Sequence, residues 1–118
     1  MILVDTSVWI DHLRKGNARL QSLLYENEVL IHPIVIGEIA CGSLKNRTDI
    51  LDLLDALPKA RLAYHHEVLT LIESKHIYGR GIGWVYAHLL ASAILSRSKL
   101  WSLDRRFSEV ITLLQNSM

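Results

Sequence analysis

Apolar residues recur along the chain in two spacings, and each change of spacing marks a predicted element. Ile2-Leu3-Val4 is a short apolar run stopped by Asp5, which reads as a buried strand over residues 2–5. Val8, Ile10 and Leu13 then predict a helix over about 7–14, with Asp5 or Thr6 placed to cap it. Gly16-Asn17 is a break, and Leu20, Leu23 and Leu24 carry a second helix over 18–26. Val29-Leu30-Ile31 is the next strand. Pro33 suits the first turn of a helix that runs to about Cys41, and Gly42-Ser43 ends it. Ile50, Leu51, Leu54 and Leu57 share one face of a helix over 47–57, stopped by Pro58. Leu62-Ala63-Tyr64 reads as a weaker third strand, and Val68, Leu69, Leu71 and Ile72 as a helix over 66–77. The stretch Gly79-Arg80-Gly81-Ile82-Gly83 is a flexible loop. A strongly apolar helix over 85–96 follows, then a last strand at Leu100-Trp101-Ser102-Leu103 and a final helix over 106–115.

Strands that alternate with helices predict an α/β fold around a mainly parallel sheet. Right-handed crossovers would bring the strand ends to one edge. The 118 residues fit one domain, 1–118, without repeat or linker. A 50% hydrophobic content supplies a core, and 21% charged residues is ordinary, so the composition excludes disorder. No apolar run reaches the roughly 18 residues of a membrane span. The start, Met1-Ile2-Leu3-Val4-Asp5, lacks a basic segment and meets an acid early, which argues against a secretory signal. Cys41 is the single cysteine and has no partner for an internal disulfide, so a reducing cytoplasm is the expected compartment.

Net charge is +1, which gives no global basic footprint, although local pairs such as Arg14/Lys15, Lys45/Arg47 and Arg105/Arg106 remain. The chemistry lies in three acids. Asp5 ends the first strand, Glu38 sits on the apolar helix after Pro33, and Asp104 follows the last strand. Ligands of open parallel sheets bind at the carboxyl ends of the strands. Carboxylates gathered there repel unless a cation lies between them, and hard oxygen donors suit Mg²⁺ or Mn²⁺. Each acid also has a plainer reading. Asp5 and Asp104 are good helix caps. Glu38 is harder to explain that way, because a Glu on a mostly apolar helix needs a cleft or a ligand.

The stretches Ile2-Leu3-Val4-Asp5-Thr6-Ser7-Val8-Trp9-Ile10, Ile36-Gly37-Glu38-Ile39, Gly81-Ile82-Gly83-Trp84-Val85 running into Ala87-His88-Leu89-Leu90-Ala91-Ser92-Ala93, and Leu100-Trp101-Ser102-Leu103-Asp104 carry a resemblance in order and spacing. Over essentially its whole length the chain resembles the PIN-domain nucleases, and most closely the VapC toxins of bacterial toxin–antitoxin systems. The resemblance implies a PIN-like three-layer sandwich, its mainly parallel sheet of about four to five strands flanked by helices. It implies a metal-dependent endoribonuclease that uses Mg²⁺ or Mn²⁺, with Asp5, Glu38 and Asp104 as metal-holding catalytic acids. It also implies an RNA substrate, a cognate antitoxin and a homodimer. One position departs from the pattern: where similar sequences carry Asp, this chain has Tyr86. A phenol is neutral at pH 7 and a poor ligand for a hard dication, so impaired activity is expected.

Around these acids, Thr6 and Ser102 are candidates to orient carboxylates or meet phosphate, or else are hydroxyls satisfied at turns. Arg105 and Arg106 are candidate phosphate contacts, or a solvated helix start. The six histidines show no zinc spacing, the glycine loop does not follow a strand as a nucleotide cradle would, and Trp9, Trp84 and Trp101 read as core. The apolar faces of 7–14 and 18–26 are a candidate groove for an antitoxin segment, and the face of 47–57 for a dimer. Two other classes compete with the enzyme. One is a catalytically inactive module that binds RNA or antitoxin. The other is a receiver-like phosphoacceptor, which fits poorly because Asp5 has no acidic neighbour.

Overall fold

The computed structural model describes residues 1–116. Strand β1 (Ile2–Val4) leads into α1 (Thr6–Lys15) and α2 (Ala18–Tyr25), then β2 (Val29–Leu30), α3 (Pro33–Ala40), α4 (Arg47–Asp55), α5 (His65–Ser74) and α6 (Trp84–Leu95). Strand β3 (Lys99–Trp101) and α7 (Arg105–Asn116) complete the order. The strands are parallel in the order β2-β1-β3, with Leu3 opposite both Leu30 and Leu100. Parallel strands covered on both faces read as continuous apolar runs, as Ile2-Leu3-Val4 does. Leu3, Val4, Val29 and Leu100 are accordingly buried.

The α/β class with a parallel, helix-flanked sheet is as expected, but the sheet has three strands among the described residues. The third strand expected at 62–64 does not form. Leu62 and Tyr64 stand exposed, and Tyr64 N–H instead donates to Glu67 Oε1 at 2.8 Å as the cap of α5. The chain touches the β2 edge slightly earlier, where Ile31 N–H donates to Pro58 C=O and Ala60 N–H to Ile31 C=O, each at 2.9 Å. A short apolar run ending in an aromatic, such as Leu62-Ala63-Tyr64, forms a strand only where a sheet receives it.

Helix α6 is apolar on all sides and runs through the interior, with Ala87, Leu89, Leu90, Ala91, Ser92 and Ala93 buried. Leu54 of α4 is buried, and Ile50, Leu51 and Leu57 pack against the core, which accounts for that apolar face without a second subunit. Of the three tryptophans, Trp9 is buried and Trp101 half-buried, but Trp84 is 40% exposed, so the expectation of a core residue fails there. Trp84 is the first residue of α6 and stands at its rim. Gly16 closes α1 at φ +85°, a conformation other residues adopt only with strain. Among the described residues no helix is long and apolar enough to cross a membrane.

Candidate active site

The turn from β1 into α1 places Asp5 with backbone in the extended region, in the capping position, yet its carboxylate makes no capping bond. The side chain turns inward and is 1% exposed. Asp5 Oδ2 accepts the Ser102 hydroxyl at 2.7 Å and the Ser7 hydroxyl at 2.8 Å. A serine hydroxyl has one proton, so each spends it on Asp5 and accepts elsewhere. Ser102 Oγ accepts the Asp104 N–H at 3.0 Å, and Ser7 Oγ accepts the Leu103 N–H at 2.9 Å. The network ties the end of β1 to the loop between β3 and α7. Asp5 Oδ1 remains buried and without any hydrogen-bond partner. A half-satisfied buried carboxylate is costly unless a cation or donor meets the free oxygen.

Glu38 projects from α3, whose start is fixed by Pro33 and by His32, with Nδ1 accepting the Ile34 N–H at 3.0 Å. Its exposed carboxylate accepts the Thr6 hydroxyl at 2.6 Å. Asp104 does cap a helix: Oδ1 accepts the Phe107 N–H at 2.9 Å at the start of α7. Its other oxygen, Oδ2, faces the Tyr86 hydroxyl at 3.4 Å. The plainer reading therefore holds for one oxygen of Asp104 and fails for Asp5.

Tyr86 stands among the acids. Its ring stacks on the fully buried Phe107, with centroids 4.0 Å apart and planes 10° from parallel. Burial pushes the phenol up to about 12, and the charges of Asp5 and Asp104, the hydrogen bond to Asp104 and the charge of Glu38 push the same way. All three acids are thus close enough to act on one hydroxyl, which stays protonated. The donor chemistry fits a hard dication, since every side chain offers carboxylate oxygen. The geometry fits less well. Among the described residues, no three Asp, Glu, His or Cys side chains converge on a common point that could hold an ion.

A cleft of about 650 Å³ opens over this cluster, lined by Asp5, Thr6, Ser7, Ile10, Glu38 and residues 83–86. Trp84 forms part of its wall, flanked by His65 at 5.0 Å and His88 at 4.7 Å between ring centroids. Of the residues expected around the acids, Thr6 and Ser102 make direct contacts to Glu38 and Asp5. Arg105 and Arg106 do not line the cleft. Arg105 pairs with Glu109 at 3.5 Å on the exposed face of α7, and the Arg106 side chain lies over Gly81, where a Cβ would come within 2.9 Å. The sequence assigns Ser7 no part in the site and reads Trp84 as core, whereas Ser7 holds Asp5 and Trp84 walls the cleft. The run Asp5-Thr6-Ser7 at a strand end was the available signal for Ser7, and Trp84 had the glycine loop beside it.

A PIN-domain family model matches residues 2–112. Two proteins named Ribonuclease VapC32, from two strains of Mycobacterium tuberculosis, are each 50% identical to this chain over 107 residues. That span is 90% of this chain and 86% of theirs.

Proposed function

The chain belongs to the PIN-domain family and is of the VapC toxin kind, and from that premise we propose a metal-dependent endoribonuclease site, toxin of a toxin–antitoxin pair, impaired by Tyr86. The observation that carries the proposal is Asp5 Oδ1, a buried carboxylate oxygen with no partner, beside a cleft that Glu38 and Tyr86 also line and with Asp104 Oδ2 3.4 Å from the Tyr86 hydroxyl. In this reading Asp5 would be the central metal ligand, and a shift of Glu38 and Asp104 toward its free oxygen would complete the set. The chemistry that Mg²⁺ or Mn²⁺ supplies at such a place is neutralisation of charge on the scissile phosphodiester and acidification of an attacking water. Ser7 and Ser102 hold the Asp5 carboxylate in one orientation, so that Oδ1 stays aimed away from the network. Thr6 does the same for Glu38. The exposed face of Trp84 offers a nucleobase a stacking surface on the cleft wall.

Tyr86 replaces a fourth carboxylate by a neutral ring anchored on Phe107. It removes a charge the dication needs and fills space between the acids. A second reading follows from the same stacked ring: a chain that keeps RNA or antitoxin binding without cleavage. In either case we propose that residues 1–118 act as one domain, as a homodimer, in the cytoplasm. Arg105 and Arg106 remain proposed as peripheral phosphate contacts, outside the cleft. Expression in a bacterial host tests the toxin reading. Tyr86→Asp is expected to halt growth with loss of RNA, and this chain and the Asp5→Asn/Tyr86→Asp double variant are not. Unimpeded growth with soluble Tyr86→Asp protein would overturn it.

A further inference from the structure

The order β2-β1-β3 leaves β3 at one edge of the sheet. Toward β1, Lys99 N–H donates to Met1 C=O at 3.2 Å and Trp101 C=O accepts the Asp5 N–H at 2.9 Å. Strand alternation then turns the N–H and C=O of Leu100 outward, away from β1. No strand among the described residues pairs with them. The carbonyls on either side are covered by side chains of α7. Ser98 C=O accepts Gln115 Nε2 at 3.3 Å, and Ser102 C=O accepts the Ser108 hydroxyl at 2.9 Å. Leu100, only 5% exposed, is left with its N–H and C=O unpaired among the described residues on a sheet edge, the feature that sheet proteins ordinarily cover or blunt.

This edge lies in a second trench of about 650 Å³, between α2 on one side and α6 and α7 on the other. Ser98 Oγ sits in its wall, in a residue only 6% exposed, and has no hydrogen-bond partner. The rim is basic. Arg19, Arg97 and Lys99 are exposed, and among the described residues none of them is in an ion pair. No acid lines the trench. Arg19 is held with its guanidinium 4.4 Å above the Trp101 ring.

We propose that this edge takes up an extended, acidic segment of a partner protein as an added strand beside β3. The backbone pair of Leu100 supplies main-chain bonds, Ser98 Oγ a further one, and the three cations select carboxylates on the incoming segment. An RNA backbone fits the cations and its 2′-hydroxyls can donate, but it presents no N–H and C=O at strand spacing to match the Leu100 pair. The trench is separate from the Asp5 cleft, so the proposal does not depend on the nuclease reading.

The test uses the full chain, isotopically labelled, and an end-blocked eight-residue peptide that alternates Glu and Val. Binding is followed by NMR shifts and by hydrogen exchange at the Leu100 amide. The peptide is expected to slow that exchange by about tenfold or more and to shift residues 97–102. Two control peptides, one with Lys in place of Glu and one N-methylated at alternate backbone positions, are expected to do neither. Arg97→Glu/Lys99→Glu, folded by circular dichroism, is expected to bind about tenfold more weakly. The proposal is overturned by an unprotected Leu100 amide at millimolar peptide, by equal binding of the N-methylated control, or by an RNA oligonucleotide that shifts 97–102 in the peptide's place.

Discussion

Lowering the pH from 7.5 to 4.5 acts on the residue that starts the Glu38 helix. His32 is 3% exposed, and both ring nitrogens are engaged. Nδ1 accepts the Ile34 N–H at 3.0 Å, so the proton sits on Nε2 and is donated to Ser92 Oγ at 3.1 Å. Burial, and behind it the charge of His88, lowers the His32 pKa from 6.5 to about 4. In the unfolded chain the imidazole takes its proton near 6.5, whereas in the folded chain it resists until about 4. The unfolded state therefore binds more protons in that window, and stability falls as the pH drops through it. The full shift corresponds to at most about 3 kcal/mol, a sizeable part of the roughly 5–15 kcal/mol that holds a domain together.

Urea unfolding at pH 7.5 and 4.5 measures the loss, with His32→Asn as reference. Asn keeps a good cap for Ile34 but has no group titrating in this range, and it gives up the Ser92 contact. At pH 7.5 the variant is expected to be about 1 kcal/mol less stable. At pH 4.5 that order is expected to vanish or invert, because only the native chain has lost the His32 contribution. Other titrating groups, including His88, whose pKa is also lowered by burial and by His65, act in both proteins and largely cancel. Parallel loss of stability in the two proteins would refute the assignment.

Three further outcomes follow from the site. Asp5→Asn removes a half-satisfied buried charge and is expected to raise stability by about 1 kcal/mol, or about 3–6 °C in calorimetry; a fall of that size would show that the network needs the charge. Phe107→Ala removes a fully buried ring under Tyr86 and is expected to cost about 3–5 kcal/mol in urea unfolding; a cost under about 1 kcal/mol would contradict the packing. Tyr86→Asp adds a fourth carboxylate and is expected to melt lower in EDTA than the native chain. Millimolar Mn²⁺ is expected to raise its melting point by several degrees and to leave the native chain's nearly unchanged; equal responses would separate Tyr86 from cation binding.

Much of the fold was legible because its signals are local. Ile2-Leu3-Val4 and Leu100-Trp101 are apolar runs with polar stops, and a parallel sheet buries such runs on both faces. Leu62-Ala63-Tyr64 has strand-like composition but no sheet face to meet, so it remains an exposed lead into α5. The pairing that forms instead, Ile31 with Lys59, is set by tertiary proximity and has no composition signal. The same division holds at the site. Asp5, Glu38 and Asp104 stand out in the sequence as candidates by their positions at element ends or on an apolar helix. The network that orients Asp5 joins Ser7 to Leu103 and Ser102 to Asp5 across most of the chain length, and no spacing rule reaches that far. That one oxygen of Asp104 is spent on capping Phe107 is likewise visible only in three dimensions.

RNA cleavage by purified protein tests the central claim most directly. The native chain, Tyr86→Asp and Asp5→Asn/Tyr86→Asp are each incubated with transfer, ribosomal and messenger RNA in Mg²⁺ or Mn²⁺, with and without EDTA. The account predicts cleavage by Tyr86→Asp alone, stopped by EDTA. Cleavage by the native chain equal to that of Tyr86→Asp, or none by any folded variant on any RNA, would contradict it.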